Sequence, residues 1–265
     1  MDERSKNLRR TVVDVISIDR RGHFGSAMSS IEILRVLFDS FLSFRSNQPD
    51  WENRDRFILS KGHGCLSLYA ILADKGFFTH EELLTFCSPD SPFGGHPDRG
   101  KVSGVEASTG ALGHGLPIGV GMALAARMKQ QSHRVIVLTG DGEINEGSVW
   151  EAALSASKHR LSNLTVMIDY NKFQSYGSTT EVLDLEPLAD KWKSFGFAVE
   201  EVDGHNLEAL EELTSRLPFE PNKPSAIICH TIKGKGFDFA EAKIEWHHKS
   251  KISDEDIKAM YHHLI

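Results

Sequence analysis

Two short segments of this chain carry the residue types needed to hold a divalent metal ion against a diphosphate. The first, Gly140-Asp141-Gly142-Glu143-Ile144-Asn145-Glu146-Gly147, follows the strand-like run Arg134-Val135-Ile136-Val137-Leu138. The second is Asn171, delivered by a further apolar run, Val166-Met167-Ile168-Asp169-Tyr170. Mg²⁺ neutralises a diphosphate and takes oxygen ligands in near-octahedral geometry. Asp141 offers a charged oxygen, Asn171 a neutral amide oxygen, and Phe173 a backbone carbonyl from the turn that follows. Gly140 and Gly142 let the backbone approach a phosphate without a clashing Cβ. A helix expected from Gly147 onward would aim its positive N-terminal end at the same region. An Asp-Gly pair alone is a common turn former. The asparagine at the end of the next strand is what makes the pair read as a metal site.

The surrounding elements must bring these segments together. Residues 5–20 read as a helix with Leu8, Val12, Val15 and Ile16 on one face, followed by a loop, His23-Phe24-Gly25-Ser26, and a second helix announced by Ser29, Ser30 and Glu32. Arg56–Ser60 reads as a short strand, 62–73 as a helix, and Thr79-His80-Glu81-Glu82 as a capping box. Residues 88–109, rich in Ser, Pro, Gly and Asp, form a long loop of the functional kind. An Ala- and Gly-rich helix over 111–130 should lie close against a sheet. Further strands are expected at 197–202 and 226–231, helices near 187–195 and 206–216, and a last helix from Ser253. Strands alternating with helices indicate an α/β fold: a doubly wound, mostly parallel sheet with helices on both faces, over 1–265 as one domain. In such sheets ligands bind at the carboxyl ends of the strands, where both halves of the motif fall.

Composition excludes other classes. A chain of 265 residues with 40% hydrophobic and 25% charged content can bury a sizeable core. A net charge of -7 with no basic tract argues against nonspecific nucleic-acid binding. Cys65, Cys87 and Cys229 are too scattered for a disulfide framework or a zinc CxxC. No apolar run has the length of a membrane span and no signal core follows Met1, so a cytoplasmic protein is expected.

The thirteen histidines are unusual. His23, His63, His96 and His114 each follow a glycine at an expected loop or helix start, and His247 lies in a late loop. Imidazoles there can hydrogen-bond hydroxyl or phosphate oxygens and relay protons near neutral pH. The HExxH spacing of a hydrolytic zinc site is absent.

Several further segments follow one another in a fixed order: Gly22-His23-Phe24-Gly25-Ser26, Ser60-Lys61-Gly62-His63-Gly64, Gly95-His96-Pro97 and Thr109-Gly110-Ala111-Leu112-Gly113-His114-Gly115. After the GDG-to-Asn pair come Thr231-Ile232-Lys233-Gly234-Lys235-Gly236 and Trp246-His247-His248-Lys249. Thiamine diphosphate is a cofactor that needs such a metal–diphosphate clamp, and these ordered motifs resemble the N-terminal, diphosphate-binding half of transketolase.

The resemblance implies thiamine diphosphate with Mg²⁺, or another divalent cation such as Ca²⁺ or Mn²⁺, held by Asp141, Asn171 and the Phe173 carbonyl. It places His63, Gly142, Lys233 and His247 at the diphosphate or its approach, and Ser26 with Ala111-Leu112-Gly113 along the cofactor. His23, His96 and His247 would face the reacting centre and the hydroxyls of a ketose donor. Glu146 would join a carboxylate network linking paired active sites. The implied reaction passes a two-carbon ketol unit from a ketose to an aldose, the carbanion chemistry being the cofactor's. A deoxyxylulose phosphate synthase or a 2-oxo acid dehydrogenase is the alternative among thiamine enzymes, and a non-catalytic scaffold subunit the alternative outside them. The SKGH and GHP motifs favour transketolase.

Departures from the pattern bear on substrate rather than cofactor: Phe24 in place of proline, His114 in place of glutamine, His248 in place of glycine, and a polar Gln174-Ser175-Tyr176-Gly177. The pyrimidine-type and C-terminal domains of a transketolase are not in this sequence. They are expected on a partner subunit, in an α₂β₂ heterotetramer.

Overall fold

The computed structural model describes residues 1–249 and 251–265. Five strands, β1 (Arg56–Leu59), β2 (Val135–Gly140), β3 (Leu164–Tyr170), β4 (Ala198–Asp203) and β5 (Ser225–His230), form one sheet in the order β1-β2-β3-β5-β4. Every pairing is parallel, as expected of alternating strands and helices.

The central strands are buried on both sides, and their residues alternate between two cores. Phe57, Leu59, Ile136, Leu138, Met167, Ile227 and Cys229 face one core. Helices α1 (Glu3–Asp19), α3 (Ile31–Val36), α4 (Cys65–Asp74), α10 (Leu207–Ser215) and α11 (Asp254–His262), with the five-residue α2 (Phe24–Met28), fill that side. Ile58, Val135, Val137, Val166, Ile168, Ala226 and Ile228 face the other. There α6 (Gly115–Met128), α7 (Gly147–Lys158) and α9 (Leu188–Ser194) pack. The short α5 (His80–Leu83) starts on the Thr79–Glu82 capping box read from sequence, and α8 (Thr179–Val182) follows the Asn171 turn. Gly119 of α6 explains that helix's composition: a Cβ there would stand 2.5 Å from Val137 Cγ2, so small residues bring the helix onto the sheet.

Two boundaries differ from the sequence reading. His23 to Ser26 is not all loop, because Phe24–Met28 is helical with His23 at its N-cap and Phe24 buried. The helix expected from Ala111 begins at Gly115. Gly110 and Gly113 take φ of +134° and +80°, so residues 110–114 form a turn before the helix starts. Residues 88–109 make turns and bends only. No helix among the described residues is long and apolar enough to cross a membrane.

Candidate active site

A cavity of about 600 Å³ opens at the carboxyl ends of β1, β2, β3 and β5. Its wall carries His23, Ser26, His63, His96, Leu112, Asp141, Gly142, Glu146, Asn171, Phe173, Lys233 and His247. Ala111 and Gly113 are not on that wall, where Gly110 and Leu112 stand instead. The turn explains this: the Gly113 N–H points back to donate to Glu143 Oε1 at 2.9 Å. Glu146 is exposed at the N-cap of α7.

The metal end is built by register. Gly140 of β2 lies level with Asp169 of β3, so Asp141 and Asn171 leave adjacent parallel strands. Both are buried. Asp141 Oδ1 accepts from the Gly142 N–H at 2.7 Å and Oδ2 from the Lys172 N–H at 2.5 Å, which fixes the carboxylate. Asn171 Oδ1 accepts from the Phe173 N–H at 3.2 Å, and the Phe173 carbonyl accepts from Lys233 Nζ at 2.9 Å. Burial raises the Asp141 pKa, and repulsion from Asp169 adds to it. Burial likewise lowers that of Lys233, against the attraction of Asp141. A carboxylate and an ammonium desolvated on one cavity wall without a direct ion pair between them are each short of countercharge, which a cation and an anion entering together would supply.

The donor set fits a magnesium diphosphate. A carboxylate, an amide oxygen and a carbonyl are hard oxygen ligands, suited to Mg²⁺ or Ca²⁺. Ser26 Oγ, Gln174 Nε2 and His247 Nδ1, on three residues of the wall, are buried without a hydrogen-bond partner among the described residues. Such groups are costly unless a ligand or water completes them.

Imidazoles gather over the rest of the cavity. The His23 ring centroid lies 5.3 Å from that of His63, 6.4 Å from His96 and 5.8 Å from His247. A fifth ring, His248, lies 4.6 Å from His23, whereas His114 is turned away, its Nδ1 3.1 Å from the Leu112 carbonyl. Burial, then the neighbouring His248 and His96, lowers the His23 pKa to about 4. Burial and Lys233 lower that of His247 to about 3, and burial with Lys61 drives His63 well below its usual value. These rings are therefore neutral at physiological pH, each with one N–H donor and one acceptor nitrogen, a pattern suited to hydroxyl groups. His247 Nε2 already pairs with Ser175 Oγ at 3.0 Å.

Two supporting groups escaped the sequence reading. Lys61 is buried and pairs with the buried Asp169, while its ammonium also donates to the Ser26 carbonyl at 2.8 Å. Ser29 Oγ donates to the same carboxylate at 2.6 Å, and Thr231 Oγ1 donates as well. Burial raises the Asp169 pKa, but Lys61 and these donors outweigh it and the net shift is downward. Glu143 accepts from Ser60 Oγ, from the Gly113 N–H and, at 3.0 Å, from the Gly140 N–H, tying three of the sequence motifs together. Both residues lie inside motifs quoted from sequence. The signal for them was that a lysine and a glutamate between buried strands require partners.

Residues 2–264 match the family model described as transketolase, thiamine diphosphate binding domain. The chain is 40% identical over 259 residues to an apulose-4-phosphate transketolase subunit of Actinobacillus succinogenes, covering 96% of this chain and 92% of that one. It is 42% identical over 238 residues to a 6-deoxy-6-sulfo-D-fructose transketolase subunit of a Clostridium species, covering 90% and 86%. Among solved structures it superposes on the transketolase of Campylobacter jejuni with a TM-score of 0.92 at 29% identity, covering 99% of this chain but only 42% of the longer one. The chain belongs to the transketolase family and corresponds to its thiamine diphosphate-binding domain.

Proposed function

We propose that this chain is the diphosphate-binding subunit of a split transketolase. With a partner subunit carrying the pyrimidine-type domain, in an α₂β₂ assembly, it transfers a two-carbon ketol unit from a ketose to an aldose. The observation that carries this reading is the single cavity in which buried Asp141, Asn171 and Lys233 meet His23, His63, His96 and His247. The relatives described as transketolase subunits, matched over 92% and 86% of their own lengths, support the division into two chains.

Asp141, Asn171 and the Phe173 carbonyl hold Mg²⁺, while Lys233, His63 and the Gly142 backbone hold the diphosphate. Ser26, Leu112 and the turn through Ala111 and Gly113 shape the space for the cofactor. When bound, thiamine diphosphate supplies the carbanion-stabilising centre. His23 and His247, kept neutral, bind the donor's hydroxyls together with His96, and these side chains exchange protons with oxygens that gain or lose charge. Glu146, exposed at the start of α7, is available to a carboxylate contact across subunits.

The test is to purify the chain with its candidate partner, add thiamine diphosphate and Mg²⁺, and follow ketose cleavage with and without Asp141→Ala. Cleavage that needs both subunits and disappears in the variant is expected. Cleavage indifferent to Asp141, or by the isolated chain, refutes the proposal.

A further inference from the structure

Behind the loop that presents Lys233 runs a polar chain, half-buried at His205 and fully buried where it reaches Arg9 of the first helix. Arg9 of α1 is fully buried and grips Glu32 of α3 with two hydrogen bonds, 2.6 and 3.0 Å. Glu32 Oε2 lies 2.9 Å from His205 Nδ1, and His205 Nε2 accepts from the Ile232 N–H at 2.8 Å. The side chains of Glu32 and His205 are only 7% and 11% exposed. Arg9 also donates from Nε to the Lys235 carbonyl at 2.9 Å, on the far side of Lys233.

The chemistry fixes the tautomer of His205. A backbone N–H can only donate, so Nε2 must present its lone pair to Ile232. The proton is then on Nδ1, where the Glu32 carboxylate accepts it, and Arg9 keeps that carboxylate ionised. The residue next to Ile232 is Lys233, whose ammonium reaches the Phe173 carbonyl. The Gly234 N–H is held by the Gly25 carbonyl at 3.0 Å. Three consecutive residues of the loop are thus tied down, two of them on either side of the lysine.

We propose that His205 is a positioning residue for cofactor binding: as the Nδ1–H tautomer held by Glu32 and Arg9, it fixes the Ile232 amide and thereby aims Lys233 at the diphosphate. This rests on the function proposed above, since it takes the anion facing Lys233 to be the diphosphate. Nothing in the chain of contacts from Arg9 to Ile232 touches a reacting atom. Its contribution is to orient a cation, as outer partners do for metal ligands.

Thiamine diphosphate affinity in the assembled two-subunit protein, measured with Mg²⁺ by calorimetry, separates the possibilities. His205→Leu removes both contacts and is expected to weaken affinity by about tenfold or more, with kcat at saturating cofactor unchanged. His205→Gln, whose amide can donate to Glu32 and accept from Ile232, should restore affinity to near the wild-type value. Unchanged affinity in His205→Leu, a fall in kcat instead, or no rescue by glutamine overturns the proposal. A second measurement needs no variant: ¹⁵N spectra of the histidine-labelled full chain should show His205 protonated at Nδ1 and bare at Nε2. The opposite tautomer, or an imidazolium, overturns it even if His205→Leu fails to fold. Lys233→Met is the control for the underlying reading. If it binds the cofactor as tightly as wild type, the role of Lys233 has failed, while the tautomer still tests the arrangement around His205.

Discussion

The ammonium of Lys233 donates to the carbonyl oxygen of Phe173 at 2.9 Å, so a fixed cation stands beside one of the oxygens assigned to Mg²⁺. The same ammonium is attracted to Asp141, which draws it into the metal end of the cavity rather than toward solvent. A diphosphate entering with its metal would find a positive charge already desolvated and aimed. Lys233→Met keeps the aliphatic stem and removes the charge. A charge-assisted hydrogen bond is worth about 1.5–3 kcal/mol, so thiamine diphosphate affinity should fall by about 10- to 100-fold. Calorimetric titration of the assembled protein measures it, and an unchanged Kd contradicts the assignment.

Asp141 separates metal binding from folding. Asp141→Asn relieves the burial penalty on a carboxylate but turns an amide nitrogen toward the Gly142 or Lys172 N–H, so the melting temperature of the cofactor-free chain should change only a little, the two effects opposing each other. The increment that Mg²⁺ and thiamine diphosphate add to that temperature should vanish, because binding to the native state is what produces it. An increment that survives in the variant shows that the ion is held elsewhere.

The imidazole cluster makes a directional claim about pH. His23 and His247 have folded pKa values depressed from 6.5 to about 4 and about 3. The unfolded chain therefore takes up protons first as pH falls, and their contribution is complete above about 6.5 and lost on descent toward about 4. Glu32, in which burial is outweighed by the His205 and Arg9 contacts so that its pKa sits at about 2, adds a separate loss only below its usual 4.5. Melting of the cofactor-free chain from about pH 7 to about pH 4 should show the first loss. His247→Gln should reduce its slope, and an identical slope in the variant counts against the cluster as its source.

Lys61 and Asp169 form an ion pair with side chains 1% and 0% exposed. Removing one partner strands the other, so Lys61→Met should destabilise the chain by about 3–5 kcal/mol. Asp169→Asn, which retains the shape and part of the hydrogen bonding to Ser29 and Thr231, should cost less when paired with Lys61→Met than the sum of the two single changes. Urea unfolding of the four proteins gives the coupling, and strict additivity rules it out.

Much of the fold is local in origin and could be read from the chain. The capping box at Thr79 and Glu82 starts its helix, and Ser253 starts the last one with Asp256. The apolar runs ending at Gly140 and Tyr170 became neighbouring strands, which carried Asp141 and Asn171 to one end of the sheet. The helix α6 starts later than its sequence suggests: alanine and leucine at 111 and 112 suit a helix, while the left-handed φ of Gly113 is visible only in three dimensions.

Residue types and strand order by themselves determined the sheet, its carboxyl-end crevice and the chemical identity of the groups able to reach it. Only the tertiary structure decided which of them meet. It joined Lys61 to Asp169, Glu143 to Ser60 and Gly113, and Arg9 through Glu32 to His205, and it chose His248 over His114 as the fifth ring beside His23. Such partnerships join residues distant in sequence, and no periodicity records them. They arise because a charge carried into a dry interior must find its counterpart wherever the packing of helices on the sheet has placed one.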